Sequence, residues 1–166
     1  MLLGILSDSH DNAASMKAGI DLLRQRGAAY VIHCGDVVSA HMLDYLAGIP
    51  AAFVFGNCDW DRAALQRYAE QVGVQCFGKA GQVELAGRRI AFTHGDDPKL
   101  RQRILADDRP DYLLSGHTHV RADVRHGPTR LINPGALQRA PEKTVALLDL
   151  AADTLGFLVV TTDPRR

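Results

Sequence analysis

The chain has 166 residues, 46% of them hydrophobic, which suits one domain with a sizeable core. Lys plus Arg and Asp plus Glu each number 19, so no net charge draws the chain to nucleic acid or to anionic lipid. The apolar runs are too short for a membrane span or a signal peptide, so we expect no membrane attachment. The three cysteines form no CxxC motif, which favours reduced thiols in a cytoplasmic protein with a single domain over residues 1–166.

The first third of the chain alternates short apolar runs with segments of helical periodicity, which indicates an α/β fold. Strands are predicted over residues 2–6, 30–34 and 51–55, and helical segments over 15–26, 40–47 and 61–71. Ser15 is the predicted N-cap of the first helix. Parallel strands joined by helical crossovers fit this alternation.

The pattern changes from residue 80 onwards. The stretch "GQVELAGRRIAFTHG" predicts two antiparallel strands joined by a tight turn at Ala86-Gly87. A helix over 98–106 and strands over 111–115, 120–125, 129–133, 143–149 and 155–161 complete the predicted elements. Because crossovers and a hairpin occur in one chain, we expect mixed sheets.

Several polar side chains fall just after predicted strands. Loops beyond the carboxyl ends of parallel strands converge on one crevice, so we expect these side chains to share a pocket. Imidazole nitrogen combined with carboxylate and amide oxygen favours Mn, Fe, Co, Ni or Zn over Ca or Mg, and we place Mn first. The set is too large for one tetrahedral ion but suits two ions that share a carboxylate, which indicates phosphoester hydrolysis. The predicted metal ligands are Asp8, His10, Asp36, Asn57, His94, His117 and His119.

Each of these fragments also has an ordinary structural explanation. Asp8, Gly35-Asp36 and Gly56-Asn57 are common turn sequences. The stretch "SGHTH" (115–119) is more informative, because a spacing of two residues can aim both imidazole rings the same way. Their occurrence together, each after a predicted strand, favours a metal site over unrelated turns.

The ordered motifs D-x-H, G-D, G-N-C-D, H-G and G-H-T-H, followed by "NPGA" at 133–136, resemble the calcineurin-like metallophosphoesterase superfamily. The short chain and Cys58 are most similar to its small YfcE-type phosphodiesterase branch. The resemblance covers residues 2 to 150 and implies a four-layer α-β-β-α sandwich with two mixed β-sheets. It also implies a hydroxide, bridging two divalent ions, that attacks phosphorus in line.

The resemblance further implies roles for individual residues. One metal would be held by Asp8, His10, His119 and a bridging Asp36, and the other by Asp36, Asn57, His94 and His117. Asn57 would also lie against the phosphate. The implied catalytic residues are therefore Asp36, Asn57 and His117.

Two departures from the family pattern bear on the substrate. Larger phosphatases read G-N-H-E/D, whereas this chain has Cys58, a poor proton donor to an alkoxide. Their G-D-x-x-D-R-G motif is replaced by "GDVVSAH", in which Ala40 stands where the arginine would be. The missing arginine argues against phosphoproteins. We expect a small-molecule phosphodiester, with Asn57, Cys58 and Trp60 as substrate-binding candidates, although aromatic residues such as Trp60 more often pack against the protein.

Two other functions are compatible with the same fold. A non-enzymatic interaction scaffold similar to the retromer subunit VPS29, with a vestigial metal site, is the main alternative, and Cys58 gives it some support. A nuclease is disfavoured because the sequence has neither a capping domain nor an excess of basic residues. Apolar faces on the C-terminal strands are compatible with a homo-oligomer.

Overall fold

A computed structural model describes residues 1–162, so residues 163–166 of the predicted domain lie outside the described part. Two mixed β-sheets pack face to face, and helices cover the outer surface of each sheet. The strands are β1 (Leu2–Leu6), β2 (Tyr30–His33), β3 (Ala51–Phe53), β4 (Gln75–Cys76), β5 (Ala80–Leu85), β6 (Arg88–Thr93), β7 (Tyr112–Leu114), β8 (Ala122–His126), β9 (Thr129–Asn133), β10 (Thr144–Asp149) and β11 (Thr154–Val159). The four-layer α-β-β-α sandwich is thereby confirmed.

The first sheet has the order β11-β10-β1-β2-β3-β4. β1 to β4 run parallel, whereas β10 is antiparallel to both β1 and β11. β1 is apolar almost throughout because both of its faces are covered: Leu3 and Ile5 point between the sheets, and Leu6 packs under the helices. The parallel strands therefore end at one edge of a buried sheet.

The second sheet has the order β5-β6-β7-β9-β8. The β5–β6 hairpin was predicted, and its turn residues Ala86 and Gly87 both have positive φ, as a type I′ turn requires. β6, β7 and β9 run parallel to one another, and β8 pairs antiparallel with β9. Phe92 and Leu114 from this sheet pack against Ile32 of the first, which builds the central core.

Three α-helices and one 3-10 helix complete the layers: α1 (Ala13–Gln25), the 3-10 helix Ala40–Leu46, α2 (Arg62–Val72) and α3 (Pro98–Arg103). α1 buries Met16, Ile20 and Leu23 against the first sheet. α3 lies on the outer face of the second sheet and continues into a π-helical segment, Ile104–Asp108. Within residues 1–162, no helix combines the length and apolar character that crossing a membrane requires.

The predicted elements agree with the structure to within about two residues at most boundaries, with three differences. The predicted N-cap Ser15 is wrong: Asn12 caps α1 by accepting a hydrogen bond from the Ser15 N–H (3.0 Å), so the helix begins two residues earlier. β4 was not predicted, because two residues carry no readable alternation. The predicted helix 98–106 changes from α to π geometry at Ile104.

Candidate metal centre

The edges of the two sheets meet at a cluster of polar side chains. Loops after β1, β2 and β3 carry Asp8, His10, Asp36 and Asn57, and loops after β6 and β7 carry His94, His117 and His119. The structure brings all seven predicted side chains together, in two overlapping groups described below. The convergence expected at the carboxyl ends of parallel strands therefore occurs in both sheets.

The first group contains Asp8, His10 and His119. Nε2 of His119 lies 3.1 Å from Oδ1 of Asp8, and Nε2 of His10 lies 3.8 Å from the same oxygen. The two Nε2 atoms are 3.5 Å apart. These ligand atoms all lie within 4.8 Å of one another, which is close enough for one cation to contact all three.

The second group contains Asn57, His94 and His117. Oδ1 of Asn57 lies 3.1 Å from Nε2 of His94 and 3.0 Å from Nδ1 of His117. Asp36 lies between this group and the first: its Oδ2 is 3.4 Å from Nε2 of His94 and 3.6 Å from Nε2 of His10. One carboxylate oxygen thus faces both groups.

One carboxylate oxygen of Asp8 is buried without a hydrogen-bond donor in the described part of the chain. Its Oδ2 accepts a hydrogen bond from the backbone N–H of His117 (3.0 Å), but its Oδ1 is buried and has no hydrogen-bond partner among the described residues. A buried carboxylate oxygen without a donor is costly, and that atom is the one directed at His10 and His119. The donor set therefore fits bound divalent metal.

Carbonyl groups set the orientation of two imidazole rings. Nδ1 of His94 contacts the Cys34 carbonyl oxygen (2.8 Å), and Nδ1 of His119 contacts the Arg139 carbonyl oxygen (3.3 Å). A carbonyl can only accept, so each Nδ1 carries a proton and each Nε2 is the ring nitrogen that faces the centre. Metal binding requires this orientation, with Nε2 unprotonated.

Asp59 supports the centre from below, without facing it. Its buried carboxylate accepts hydrogen bonds from the backbone N–H groups of Asp36 (3.0 Å), Val38 (2.7 Å) and Gly56 (2.7 Å). Asp36 is also fixed on its other side, because its Oδ1 accepts from the N–H of Cys58 (2.7 Å). Oδ2 of Asp36 is thereby left to face the histidines.

Two glycines allow the ligand loops to approach closely. A Cβ at Gly116 would overlap the hydroxyl of Ser7 and crowd Asp8, and a Cβ at Gly56 would overlap Oδ1 of Asp36. The glycine before His117 therefore lets the histidine loop lie close to the loop after β1. Any side chain at either position would push a carboxylate away from the centre.

The ligand loops hold an unusual amount of backbone strain. Asp8, His10, Asp36, His117 and His119 all have φ between 41° and 67°, in the left-handed region that non-glycine residues seldom occupy. Each such backbone conformation destabilises the fold by on the order of 1 kcal/mol, and strained residues of this kind are concentrated at functional sites. The clustering supports a functional role for these loops.

The carboxylates and histidines alter one another's protonation. Burial alone would raise the pKa of Asp36, but hydrogen bonds from His94 and from the Cys58 N–H hold it well below the usual range. Burial alone would lower the pKa of His94, but Asp36 and Asp8 raise it to about 9. Without metal, the centre therefore keeps a proton on His94 at neutral pH, which a metal ion must displace.

The two further substrate-binding candidates border the centre. Sγ of Cys58 lies within 4.8 Å of the ligand atoms of His10 and Asp36, and burial together with the charge of Asp36 raises the pKa of the thiol. Trp60 is 84% exposed, so the alternative that it packs against the protein is wrong. Its loop is nevertheless fixed at both ends, by Asp59 and by Asp61, which caps α2.

Sequence reasoning missed three residues that shape the site. Asp59, the last residue of G-N-C-D, could be placed beside the ligands from sequence, but not its hydrogen bonds to three backbone N–H groups. Asn133, in "NPGA", donates from Nδ2 to the Gly116 carbonyl (2.8 Å) and to Oγ1 of Thr118 (3.1 Å), which ties down the histidine loop. Arg139 carries no sequence signal other than its position shortly after "NPGA", so the sequence did not predict a place for it in the site.

Comparison with known proteins agrees with this geometry. Residues 1–153 match the calcineurin-like phosphoesterase superfamily domain. Phosphodiesterase MJ0936 of Methanocaldococcus jannaschii is 27% identical over 138 residues, which cover 81% of this chain and 83% of that protein.

Solved structures share the fold. An archaeal phosphodiesterase superposes with a TM-score of 0.87 at 24% identity, covering 96% of this chain and all of that one. The phosphoesterase YfcE of E. coli gives 0.69 at 22% identity, covering 97% and 100%. Vps29 of Entamoeba histolytica, complexed with Zn²⁺, gives 0.65 at 19% identity, covering 98% and 100%. At these identities the structures establish the fold alone.

Proposed function

The chain belongs to the calcineurin-like phosphoesterase superfamily, and from this premise we propose that it is a metal-dependent phosphodiesterase acting on a small-molecule diester. The observation that carries the proposal is the sharing of one oxygen, Oδ2 of Asp36, between two groups of metal-binding atoms. The similarity to phosphodiesterase MJ0936 supports a diester over a monoester.

We assign the metal ligands as follows. Asp8, His10, His119 and Asp36 would hold one divalent ion, and Asp36, Asn57, His94 and His117 would hold the other. When bound, two such ions would supply a hydroxide near neutral pH and neutralise charge on the phosphoryl group. The mixture of imidazole nitrogen with carboxylate and amide oxygen suits a first-row divalent ion better than Ca²⁺ or Mg²⁺, and our proposal places Mn²⁺ first, with Ni, Co, Fe and Zn as alternatives.

The protein's own groups would orient the substrate. Among the described residues, the Cys58 sulfur at 3.4 Å is a weak partner and the one that Nδ2 of Asn57 has, so its N–H groups are available to a phosphate oxygen. His117 is held in place from both ends, by its N–H bond to Asp8 and by its ring contact with Asn57. Rigid placement of these groups lowers the cost of organising the transition state.

The nature of the leaving group follows from Cys58. A thiol whose pKa is raised stays protonated at neutral pH, but it is a weak proton donor to an alkoxide. The favoured substrates therefore have leaving groups that depart with little protonation, or they receive the proton from a donor outside this motif. Trp60, exposed on a fixed loop beside Cys58, would stack on an apolar or aromatic part of such a group.

The surroundings of the enzyme are also part of the proposal. Balanced charge argues against nucleic acid as the substrate. Three free thiols fit the reducing cytoplasm.

Two exposed valines favour self-association of the protein. Val124 lies on the edge strand β8 and Val120 lies just before it. Light scattering of the purified protein would test this.

Turnover is the decisive test against the scaffold alternative. Metal content alone does not separate the two, because the Vps29 structure cited above holds Zn²⁺. Purified protein would be loaded separately with Mn, Ni, Co, Fe or Zn and assayed with bis(p-nitrophenyl) phosphate. Asp36→Asn should abolish turnover and lower bound metal, whereas Asp44→Asn, at an exposed position of the 3-10 helix, should change neither. Absence of turnover by folded, metal-loaded protein with every ion would overturn the proposal.

A further inference from the structure

The loop after β9 contacts the metal centre and carries Arg139. Leu137 donates its N–H to the Ser7 carbonyl (3.2 Å), and Oε1 of Gln138 accepts from Nδ2 of Asn12 (2.7 Å). The carbonyl of Arg139 itself contacts Nδ1 of His119 (3.3 Å), and its backbone is strained at φ 55°. The position of Arg139 is therefore fixed relative to a metal ligand.

The side chain of Arg139 is exposed and uncommitted. Among residues 1–162 its guanidinium forms no hydrogen bond or ion pair, although its carbonyl is engaged. Arg62, at the start of α2, already donates hydrogen bonds to the carbonyls of Asp59 (3.3 Å) and Gly56 (3.3 Å). Arg121 is likewise engaged, with Glu142 (2.9 Å). Arg139 thus offers free N–H donors where its neighbours do not.

The backbone of Arg139 adjoins the metal centre. Its carbonyl oxygen lies 3.3 Å from Nδ1 of His119, and Nε2 of the same ring lies 3.1 Å from Oδ1 of Asp8 and 3.5 Å from Nε2 of His10. The long, uncommitted side chain of Arg139 therefore starts from a backbone position that contacts a predicted metal ligand.

We propose that Arg139 is a substrate-binding residue that grips non-bridging phosphate oxygens and supplies the cation that the "GDVVSAH" segment lacks. The proposal rests on the proposed function, since it assumes that phosphate binds at this centre. A planar guanidinium can donate two parallel hydrogen bonds to phosphate, which a lysine cannot reproduce.

Charge then determines which phosphate benefits most. Two divalent ions, two aspartates and one hydroxide leave a formal charge of about +1, and Arg139 raises it to about +2. A doubly charged phosphate, as in a monoester or inorganic phosphate, therefore gains more from Arg139 than a singly charged diester does. Arg139 is expected to set how far the enzyme accepts monoesters beside diesters.

Inorganic phosphate binding to the Mn-loaded protein, measured by calorimetry, is the first test. Arg139→Gln should raise the phosphate Kd about tenfold or more, since hydrogen bonds to charged groups contribute that much. Arg139→Lys should recover part of the loss. Arg67→Gln, an exposed arginine on α2, is the matched control and should not change Kd. Manganese content should be equal in all four proteins.

The second test compares p-nitrophenyl phosphate with bis(p-nitrophenyl) phosphate. In Arg139→Gln, kcat/KM for the monoester should fall more than kcat/KM for the diester. Unchanged phosphate affinity, an affinity loss that follows lost manganese, or equal losses for both substrates would overturn the assignment. Phosphate binding needs no turnover, so an inactive wild-type protein would refute the proposed function and still leave the role of Arg139 measurable.

Discussion

Oδ2 of Asp59 accepts a hydrogen bond from the backbone N–H of Asp36 at 3.0 Å, so one buried carboxylate fixes the backbone of another. The two aspartates have different roles because their carboxylates face different groups. Asp59 faces backbone N–H groups, whereas Oδ2 of Asp36 faces His10 and His94. The geometry of the shared ligand thus depends on a residue that does not contact the metal positions.

Asp59→Asn should destabilise the protein and weaken metal binding together. The amide would turn an N–H₂ group toward backbone N–H donors, leaving at least one buried donor without an acceptor. We expect a loss of about 3 kcal/mol in the free energy of unfolding, since several hydrogen bonds to a charged group are affected. Urea unfolding in chelator would measure stability, and manganese titration would measure affinity.

Asp61→Asn is the control for that substitution. Asp61 caps α2 from an exposed position, and asparagine caps helices as well as aspartate does. Its unfolding midpoint and metal affinity should match the wild type. If Asp59→Asn also matched the wild type in both measurements, the supporting role of Asp59 would be refuted.

Cys58→His should widen the range of leaving groups. An imidazole beside the centre can protonate a departing oxygen, which the thiol does poorly because its pKa is raised. We expect turnover of alkyl phosphodiesters to rise at least about tenfold relative to aryl diesters, the scale on which general acids contribute. Steady-state kinetics on matched alkyl and aryl diesters would show the change.

Cys58→Ser serves as the control for the new imidazole. Serine keeps the small size of the side chain but adds no proton donor that titrates near neutral pH. Its ratio of alkyl to aryl turnover should remain that of the wild type. The interpretation of Cys58 fails if the histidine variant leaves this ratio unchanged while binding a full complement of metal.

The ligand cluster was predictable from sequence because the required information is local. Each donor follows an apolar run, and the end of a parallel strand fixes which edge of the sheet it reaches. Asp8 and Asp36, for example, could be placed at one edge without knowing any distance. The hairpin turn at Ala86-Gly87 was equally local, since positive φ at both residues is a property of the turn itself.

Other features depend on contacts distant in sequence and could not be predicted. Asn12 and Ser15 are both capable caps, and only the packing of α1 on the first sheet decides between them. Arg139 reaches the centre because Leu137 and Gln138 bind segments more than 120 residues earlier. The exposure of Trp60 follows from the anchoring of its loop by neighbours, which hydrophobicity alone does not reveal.

Trp60→Ala should impair substrate binding without affecting stability. The side chain is 84% exposed, so its removal should change the free energy of unfolding by less than about 0.5 kcal/mol. KM for an aryl diester should rise severalfold, and Trp60→Phe should largely restore it because a stacking face is retained. An unchanged KM in the alanine variant would remove Trp60 from the binding site. As the only tryptophan in the chain, Trp60 also makes fluorescence a direct binding signal.

The metal-free protein should lose stability as the pH rises from about 6.5 to about 9. The pKa of His94 in the metal-free folded protein is about 9, against an ordinary value of 6.5. Below pH 6.5 both folded and unfolded states carry the proton, and the stabilisation from the nearby carboxylates is fully present. Between pH 6.5 and about 9 the unfolded state loses its proton first, so the Tm of the metal-free protein should fall.

Metal binding needs neutral His94, so manganese affinity should rise through the same pH range by up to about tenfold per pH unit. The pKa of His10 is lowered, so that ring is already neutral and releases no proton. Calorimetry at pH 7.5 in buffers of different ionisation enthalpy should therefore detect the proton that His94 releases, together with any proton given up by water in forming hydroxide. His126→Asn, an exposed substitution on β8, should leave that count unchanged. Release of no proton at this pH would show that the carboxylates do not hold His94 in its charged form.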